Sequence, residues 1–279
     1  MNHLKLADIN PHPRDKYITF TEEGPNGEKV HFYTIVDSEG NPISKPIAST
    51  TETIGKYHDH FDANKALDKM PFVNGIYVGK NEAYIGKGRD EIKLGWEKKG
   101  KDASEKGSSS HRDIENFFNG DHVENPNSKE HQLFLQFWAN YREKNPTHEP
   151  YRTECLIYDD NPDCKKVLSG SIDFLAIDEN GDLHMFDWKF IQELKKENSY
   201  KPKYDDVIHK KMYKPFDNLD DCNFSHYSLQ LNFYRHPLEN LYGKRVKTMR
   251  LVILHENQET WQEHHVERID LSKIWHTLR

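Results

Sequence analysis

The chain has 279 residues, 35% of them hydrophobic and 30% charged, and a net charge of −7 at neutral pH. That composition supplies one adequate core under a very polar surface rather than two large ones, and the acidic balance argues against indiscriminate binding to a polyanion. No apolar run reaches the ~18 residues that a membrane span needs, and three cysteines, Cys155, Cys164 and Cys222, are too few for a disulfide framework. The opening residues Met1–Asp8 carry neither an apolar signal region nor an Arg-rich stretch. No membrane partner is expected, and a cytoplasmic or otherwise intracellular location is.

Taken in chain order, residues 1–48 read as an N-terminal β-hairpin extension. Tyr17–Phe20 and Val30–Ile35 alternate apolar and polar side chains around Pro25-Asn26-Gly27. No chemistry is evident there, and the segment is read as an appended sheet or an arm that guides a substrate. Residues 49–70 predict two short helices, with Ser49 and Thr50 able to cap the first and Asp62 the second. Residues 71–101 mix Gly and Lys and predict a loop with short structure.

Asp102 and Glu105 have capping-box spacing, so a helix is expected from there to Phe118 or Asn119, with Gly120 just past its end. His111, Ile114 and Phe118 share one face of it. Gly107 and Ser108–Ser110 lie one turn earlier, where small side chains allow close approach of a backbone. Ser128–Glu143 predicts an amphipathic helix with a stripe of Leu133, Phe134, Phe137, Trp138 and Tyr141. Tyr151–Tyr158 is the next strand.

Residues 166–190 predict two apolar strands around Asp178-Glu179-Asn180-Gly181. Asp173, Asp187 and Lys189 interrupt them, and a charge in an apolar strand is costly without a partner or a metal. A two-residue Asn180-Gly181 turn would pair Asp187 with Phe174. A three-residue loop of Glu179, Asn180 and a left-handed Gly181 places Asp173 opposite Asp187, and Lys189 opposite Ser171, on one face. The second register is adopted. Two carboxylates facing at roughly 5 Å repel, and hard divalent cations such as Mg²⁺ or Mn²⁺ relieve that repulsion. The other face carries Ile172, Phe174, Phe186, Trp188 and Phe190, so cover is expected on both sides of the sheet.

Residues 191–224 are Lys-rich and contain Tyr200, Tyr204 and Tyr213. They are read either as solvated loop or as a surface that tracks a single nucleic-acid strand. A second basic stretch, 87–101, has the same two readings. Ser225–Leu241 predicts a helix that Pro237 should kink or end near Arg235 or His236. Val246–Leu254 and Trp261–Val266 predict strands, and Asp270–Arg279 a final short helix. Most of the 17 histidines are read as surface residues.

Gly170-x-x-Asp173, thirteen intervening residues and Asp187-x-Lys189 resemble the core of the PD-(D/E)XK nuclease superfamily. Gln230-x-x-x-Tyr234 and the upstream Gly107-Ser-x-x-His111-x-x-x-Glu115 narrow the resemblance to its RecB-like exonuclease branch, toward phage, viral and mitochondrial genome-maintenance exonucleases. Some members hold an iron–sulfur cluster on four cysteines, which this chain cannot supply. The resemblance implies an α/β fold, a central mixed sheet flanked by helices, in a nuclease domain over 49–279 with its core at about 102–255. It also implies catalysis by two Mg²⁺ or Mn²⁺ ions, ~3.5–4 Å apart, with DNA, in single-stranded form, as partner. Asp173 and Asp187 would be metal ligands, joined by the Trp188 carbonyl and His111, and Glu154 is a further candidate. Lys189 would steady the attacking hydroxide and the transition state. Gln230 would orient the site, and Tyr234 would support Lys189 or a nucleotide. Competing expectations are an endonuclease of DNA or RNA and an inactive nucleic-acid-binding module.

Overall fold

The computed structural model describes residues 4–23, 29–200 and 208–275. Short helix α1 (Leu6–Ile9) leads into strands β1 (Ile18–Glu23), β2 (Lys29–Ile35) and β3 (Ile47–Ser49). Helices α2 (Thr50–Gly55) and α3 (Ala63–Asp68) precede a small hairpin, β4 (Phe72–Val73) and β5 (Ile76–Tyr77), then the long helix α4 (Arg89–Asn119) and α5 (Lys129–Lys144). Strands β6 (Glu149–Asp159), β7 (Val167–Ile177) and β8 (Leu183–Lys189) follow, with a short pair β9 (Ser199–Tyr200) and β10 (Ile208–His209). Helix α6 (Asn223–Asn240), β11 (Val246–Ile253), β12 (Gln262–His265) and α7 (Ser272–Trp275) complete the described chain. The turn at Pro25-Asn26-Gly27, Tyr204, and the predicted final helix beyond Trp275 lie outside the described residues.

The fold is α/β. Six strands form one mixed sheet in the order β12-β11-β8-β7-β3, with β6 also paired to β7. The β8–β11 and β3–β7 pairs are parallel and the β6–β7, β7–β8 and β11–β12 pairs antiparallel. Period-2 alternation sends Leu175, Met185, Leu251 and Ile253 toward Leu231 and Leu238 of α6. Phe174, Phe186, Trp188 and Val252 go the other way, against Phe134, Phe137 and Tyr141 of α5 and Ile114 of α4. Both faces are therefore covered, which is why these strands are apolar on both.

The N-terminal hairpin is antiparallel, with Ile18 opposite Ile35 and Phe20 opposite Tyr33. Ile18, Tyr33 and Ile35 pack on Tyr158 of β6 and Val167 of β7. Ser49 and Asp62 cap the helices expected of them, and Ser128 caps α5, each side chain accepting from a backbone N–H of the first turn.

Three expectations are not met. Ile172 packs on the α6 side with Leu175 and Leu231 rather than with Phe174, Phe186 and Trp188. Helix α4 does not start at Asp102 but thirteen residues earlier, at Arg89. Its first turn is held by Glu91, whose Oε2 accepts from Gly88 N–H at 2.8 Å, and by Ile92 and Trp96, which pack on Leu67 and Tyr77. That packing outweighs the ~1 kcal/mol that a glycine such as Gly95 or Gly100 costs in a helix. Helix α6 does not end near Arg235 or His236 but continues through Pro237 to Asn240. Pro237 and Leu238 are buried, and the Leu241 N–H resumes the ladder on the Pro237 carbonyl at 2.8 Å.

Candidate active site

The loop between β7 and β8 has the expected three-residue form. Asp178 N–H donates to the Asp182 carbonyl, and Gly181 between them is left-handed with φ +82°. The ladder runs from Ile177 opposite Leu183 to Phe174 opposite Phe186 and stops there. One residue on, Asp173 and Asp187 occupy opposed positions, and the Trp188 N–H donates to Asp173 Oδ2 at 2.7 Å. A carboxylate has taken over where the backbone ladder ends. On the other flank, Thr153 opposite Phe174 and Cys155 opposite Ile172 bring Glu154 level with Asp173. Three acidic residues thus lie in a row across β6, β7 and β8.

The strands part here for a topological reason. β3 pairs with Val167–Ser169 of β7 and β8 with Phe174–Ile177, on the same edge. Residues 170–173 between them have no ladder partner on that edge, and the gap opens into a cleft of about 810 Å³. Gly170, Ser171 and Asp173 line its floor, and Ser108, His111, Arg112 and Glu115 its α4 wall. Gln230 and Tyr234 come from α6, Ser49–Glu52 from the start of α2, and Phe20 and Tyr33 from the hairpin.

His111 Nδ1 is 3.5 Å from Asp173 Oδ2 and 3.9 Å from Glu154 Oε1. Burial and then Lys189 depress its pKa to about 4, so the imidazole is neutral with a lone pair to offer. Its ring stands edge-on to Phe190 at 5.1 Å. Glu154 Oε2 accepts from Ser171 Oγ at 2.8 Å. Burial and then Asp173 push Glu154 up to about 8. Its backbone is left-handed, φ +40°, in the middle of a strand, which costs on the order of 1–3 kcal/mol. Burial raises both Asp173 and Asp187 to about 6.

Lys189 Nζ lies 2.7 Å from Asp187 Oδ2 and 4.5 Å over the Tyr227 ring. Burial alone would lower this ammonium's pKa, but Asp187 and Asp173 leave it raised. Its Nζ donates to Gln230 Oε1 at 3.4 Å, and Gln230 Nε2 donates to Tyr234 Oη at 2.9 Å. Tyr234 therefore supports Lys189 through Gln230. Trp188 turns its side chain into the α5-side core, which aims its neighbours Asp187 and Lys189 the opposite way.

The expected site residues thus come together: Asp173, Lys189, Gln230, Tyr234, His111 and Glu154 line one cleft, and Asp187 is buried next to it against Lys189. Gly107 has no part in it, since a Cβ there would meet nothing. Arg112, Phe20 and Tyr33 also line the cleft, and no sequence motif singles them out. The alternation of the hairpin was the available signal for the two aromatics, and nothing in the local sequence marked Arg112. Of the described histidines only His131, His148 and His184 are buried, and the others are exposed or partly so, as expected for most of them.

The donor set fits divalent ions. Asp187 Oδ1 is buried without a hydrogen-bond partner, and the ligand atoms of His111, Glu154 and Asp173 lie within 4.8 Å of one another. Three other clusters, His148/Asp178/His184, His58/Asp221/His226 and Glu197/His209/Asp220, have a similar make-up. In each, a lysine ammonium already neutralises the carboxylate: Lys247 on Asp178, Lys210 on Asp221 and Lys211 on Asp220. Glu154 and Asp173 have no such lysine or arginine partner among the described residues.

No described helix is long and apolar enough to cross a membrane. No family model matches the sequence, and no curated protein does. Among solved structures, the chain is similar to one titled "Crystal structure of SSO0001", at 17% identity and a TM-score of 0.28, over 53% of this chain and 54% of that one. The match spans about half of each chain and carries no argument about either fold or function.

Proposed function

We propose that this chain is a metal-dependent nuclease that hydrolyses DNA phosphodiester bonds, acting as an exonuclease on single-stranded ends. The observation that carries the reading is the row of Glu154, Asp173 and Asp187 across three strands, with His111 above it and Lys189 beside it. Without a metal, burial and mutual repulsion drive these carboxylates toward protonation, and a divalent cation relieves that cost. Asp173, Asp187, Glu154 and His111 would hold Mg²⁺ or Mn²⁺, the oxygens suiting both and the imidazole favouring Mn²⁺. Bound there, such ions supply an acidified water and neutralise phosphate charge.

The chain's own residues supply the rest. Lys189, held charged by the two aspartates, points its ammonium at the space where charge develops on the phosphate. Gln230 fixes that ammonium and Tyr234 fixes Gln230. Arg112 offers a guanidinium on the opposite wall. The cleft falls within the roughly 300–1,000 Å³ of a small-molecule site, room for a nucleotide at the end of a strand, and the choice of an exonuclease on single strands follows the sequence resemblance.

The deciding assay uses an end-labelled single-stranded DNA and the same sequence circularised, with Mg²⁺, Mn²⁺ or EDTA, beside Asp187→Ala. Metal-dependent loss of the linear strand alone, absent in the variant, is the expected result. Cutting of the circle would replace this reading with an endonuclease, and cleavage unaffected by Asp187→Ala would remove the site.

A further inference from the structure

We infer that the N-terminal hairpin forms a nucleobase platform in the cleft, with Phe20 stacking on the base of the nucleotide whose phosphate the carboxylates address. The inference rests on the nuclease reading and names the part of the substrate that the hairpin reads. Phe20 and Tyr33 are directly opposed across β1 and β2, so both rings emerge on one face of the hairpin. The next pair on that face, Ile18 and Ile35, is 3% and 1% exposed beneath Tyr158 and Val167. The same row that anchors the hairpin to the sheet therefore delivers two aromatic rings into the cleft.

The rings are 5.1 Å apart and tilted by 46°, and Tyr33 is 9% exposed. Tyr33 thus backs Phe20 and stiffens it. Burial, then Glu154 and Asp173, push the Tyr33 hydroxyl up to about 12, which sets this ring beside the acidic row. The cleft is consequently two-sided. Phe20, Tyr33 and Leu156 make an apolar wall, and Glu154, Asp173, His111 and Lys189 a charged one. A nucleotide has the same division, a flat apolar base and a charged phosphate. Base–aromatic stacking is tolerant of sequence and contributes ~1–3 kcal/mol per base, so the platform would capture the end of any strand.

The test crosses protein and substrate changes. Wild type, Phe20→Ala, Phe20→Leu and Phe20→Trp are assayed on a single-stranded oligonucleotide that is intact or abasic at the scissile nucleotide, and each variant's melting temperature is recorded. On the intact strand, Phe20→Ala and Phe20→Leu should raise KM by roughly tenfold or more, the factor that corresponds to this stacking, while Phe20→Trp stays near wild type. The abasic strand should cost wild type the same factor and the Ala and Leu variants nothing further. Phe20→Leu separates stacking from packing, since it keeps an apolar side chain on the hairpin. Equal losses on both strands, or none on either, would overturn the platform and leave the nuclease intact. If wild type cleaves no strand with any metal, the nuclease reading falls and takes the platform with it.

Discussion

Tyr234 Cε1 lies 2.4 Å from where a Cβ on Gly170 would stand, and Thr50 Oγ1 3.2 Å from the same point. The glycine is present so that the Tyr234 ring can lie against the β7 backbone at the gap between β3 and β8. Tyr234 is buried in the α6-side core and cannot swing aside. Gly170→Ala should therefore displace Tyr234, and with it Gln230 and Lys189. We expect a loss of about 1–3 kcal/mol in stability, as for other overpacked cores, and at least a tenfold fall in kcat. Urea unfolding and single-strand cleavage rates check both, and an unchanged kcat would mean that the Gly170–Tyr234 contact does not position Lys189.

Asp187 is 1% exposed, and the Lys189 ammonium that pairs with it is on a side chain 16% exposed. Removing one partner strands the other. Lys189→Met should cost about 3–5 kcal/mol in the metal-free protein, and should lower kcat by about 10²–10³ through the lost transition-state donor. The double variant Asp187→Asn, Lys189→Met should recover most of the stability and none of the activity. A double variant no more stable than Lys189→Met alone would contradict the pairing.

Divalent ions should stabilise the fold. At a hundredfold excess over its dissociation constant a ligand adds about 2.7 kcal/mol, read as a higher melting temperature with Mg²⁺ or Mn²⁺ than with EDTA. Asp173→Asn should abolish that gain. His111→Ala should weaken Mn²⁺ more than Mg²⁺, because an imidazole nitrogen discriminates between them. Equal loss for both ions would exclude His111 as a ligand.

Glu154 pays backbone strain to reach the site. Glu154→Gly should be more stable than Glu154→Gln by about 1 kcal/mol, because only glycine takes a positive φ freely. Both should lose metal-dependent activity alike. If the glutamine variant proves the more stable, Glu154 is not held in the left-handed region.

A pH effect should arise at the far end of the β7–β8 hairpin. His184 is buried against His148, and burial depresses it to about 4. The unfolded chain, near 6.5 at this residue, binds a proton that the folded one refuses between those values. This contribution is therefore full above pH 6.5 and is lost as the pH falls toward 4. Asp178 beside it acts in the same direction at lower pH. Burial raises its pKa, but the Lys247 ammonium and two backbone N–H groups outweigh that and hold it well below the usual range. Comparing urea midpoints of wild type and His184→Phe at pH 7 and pH 5 isolates the histidine, and the variant should lose less on acidification.

Local rules carried much of this structure. The three-residue Glu179-Asn180-Gly181 loop set the β7–β8 register, and with it the opposition of Asp173 and Asp187, because a turn's length and its one left-handed residue act within a few bonds. The caps at Ser49 and Asp62, the left-handed stop at Gly120 and the two apolar faces of the sheet were readable for the same reason. The start of α4 was not. Asp102 and Glu105 imitate a cap, and the real start depends on Ile92 and Trp96 meeting Leu67 and Tyr77. Pro237 reads as a helix end until Leu238 is seen to be buried in the core. The strain at Glu154, the contact of Gly170 with Tyr234, and the entry of Phe20, Tyr33 and Arg112 into one cleft belong to the tertiary structure alone. Each depends on packing between segments far apart in the chain, and no local propensity encodes a partner a hundred residues away.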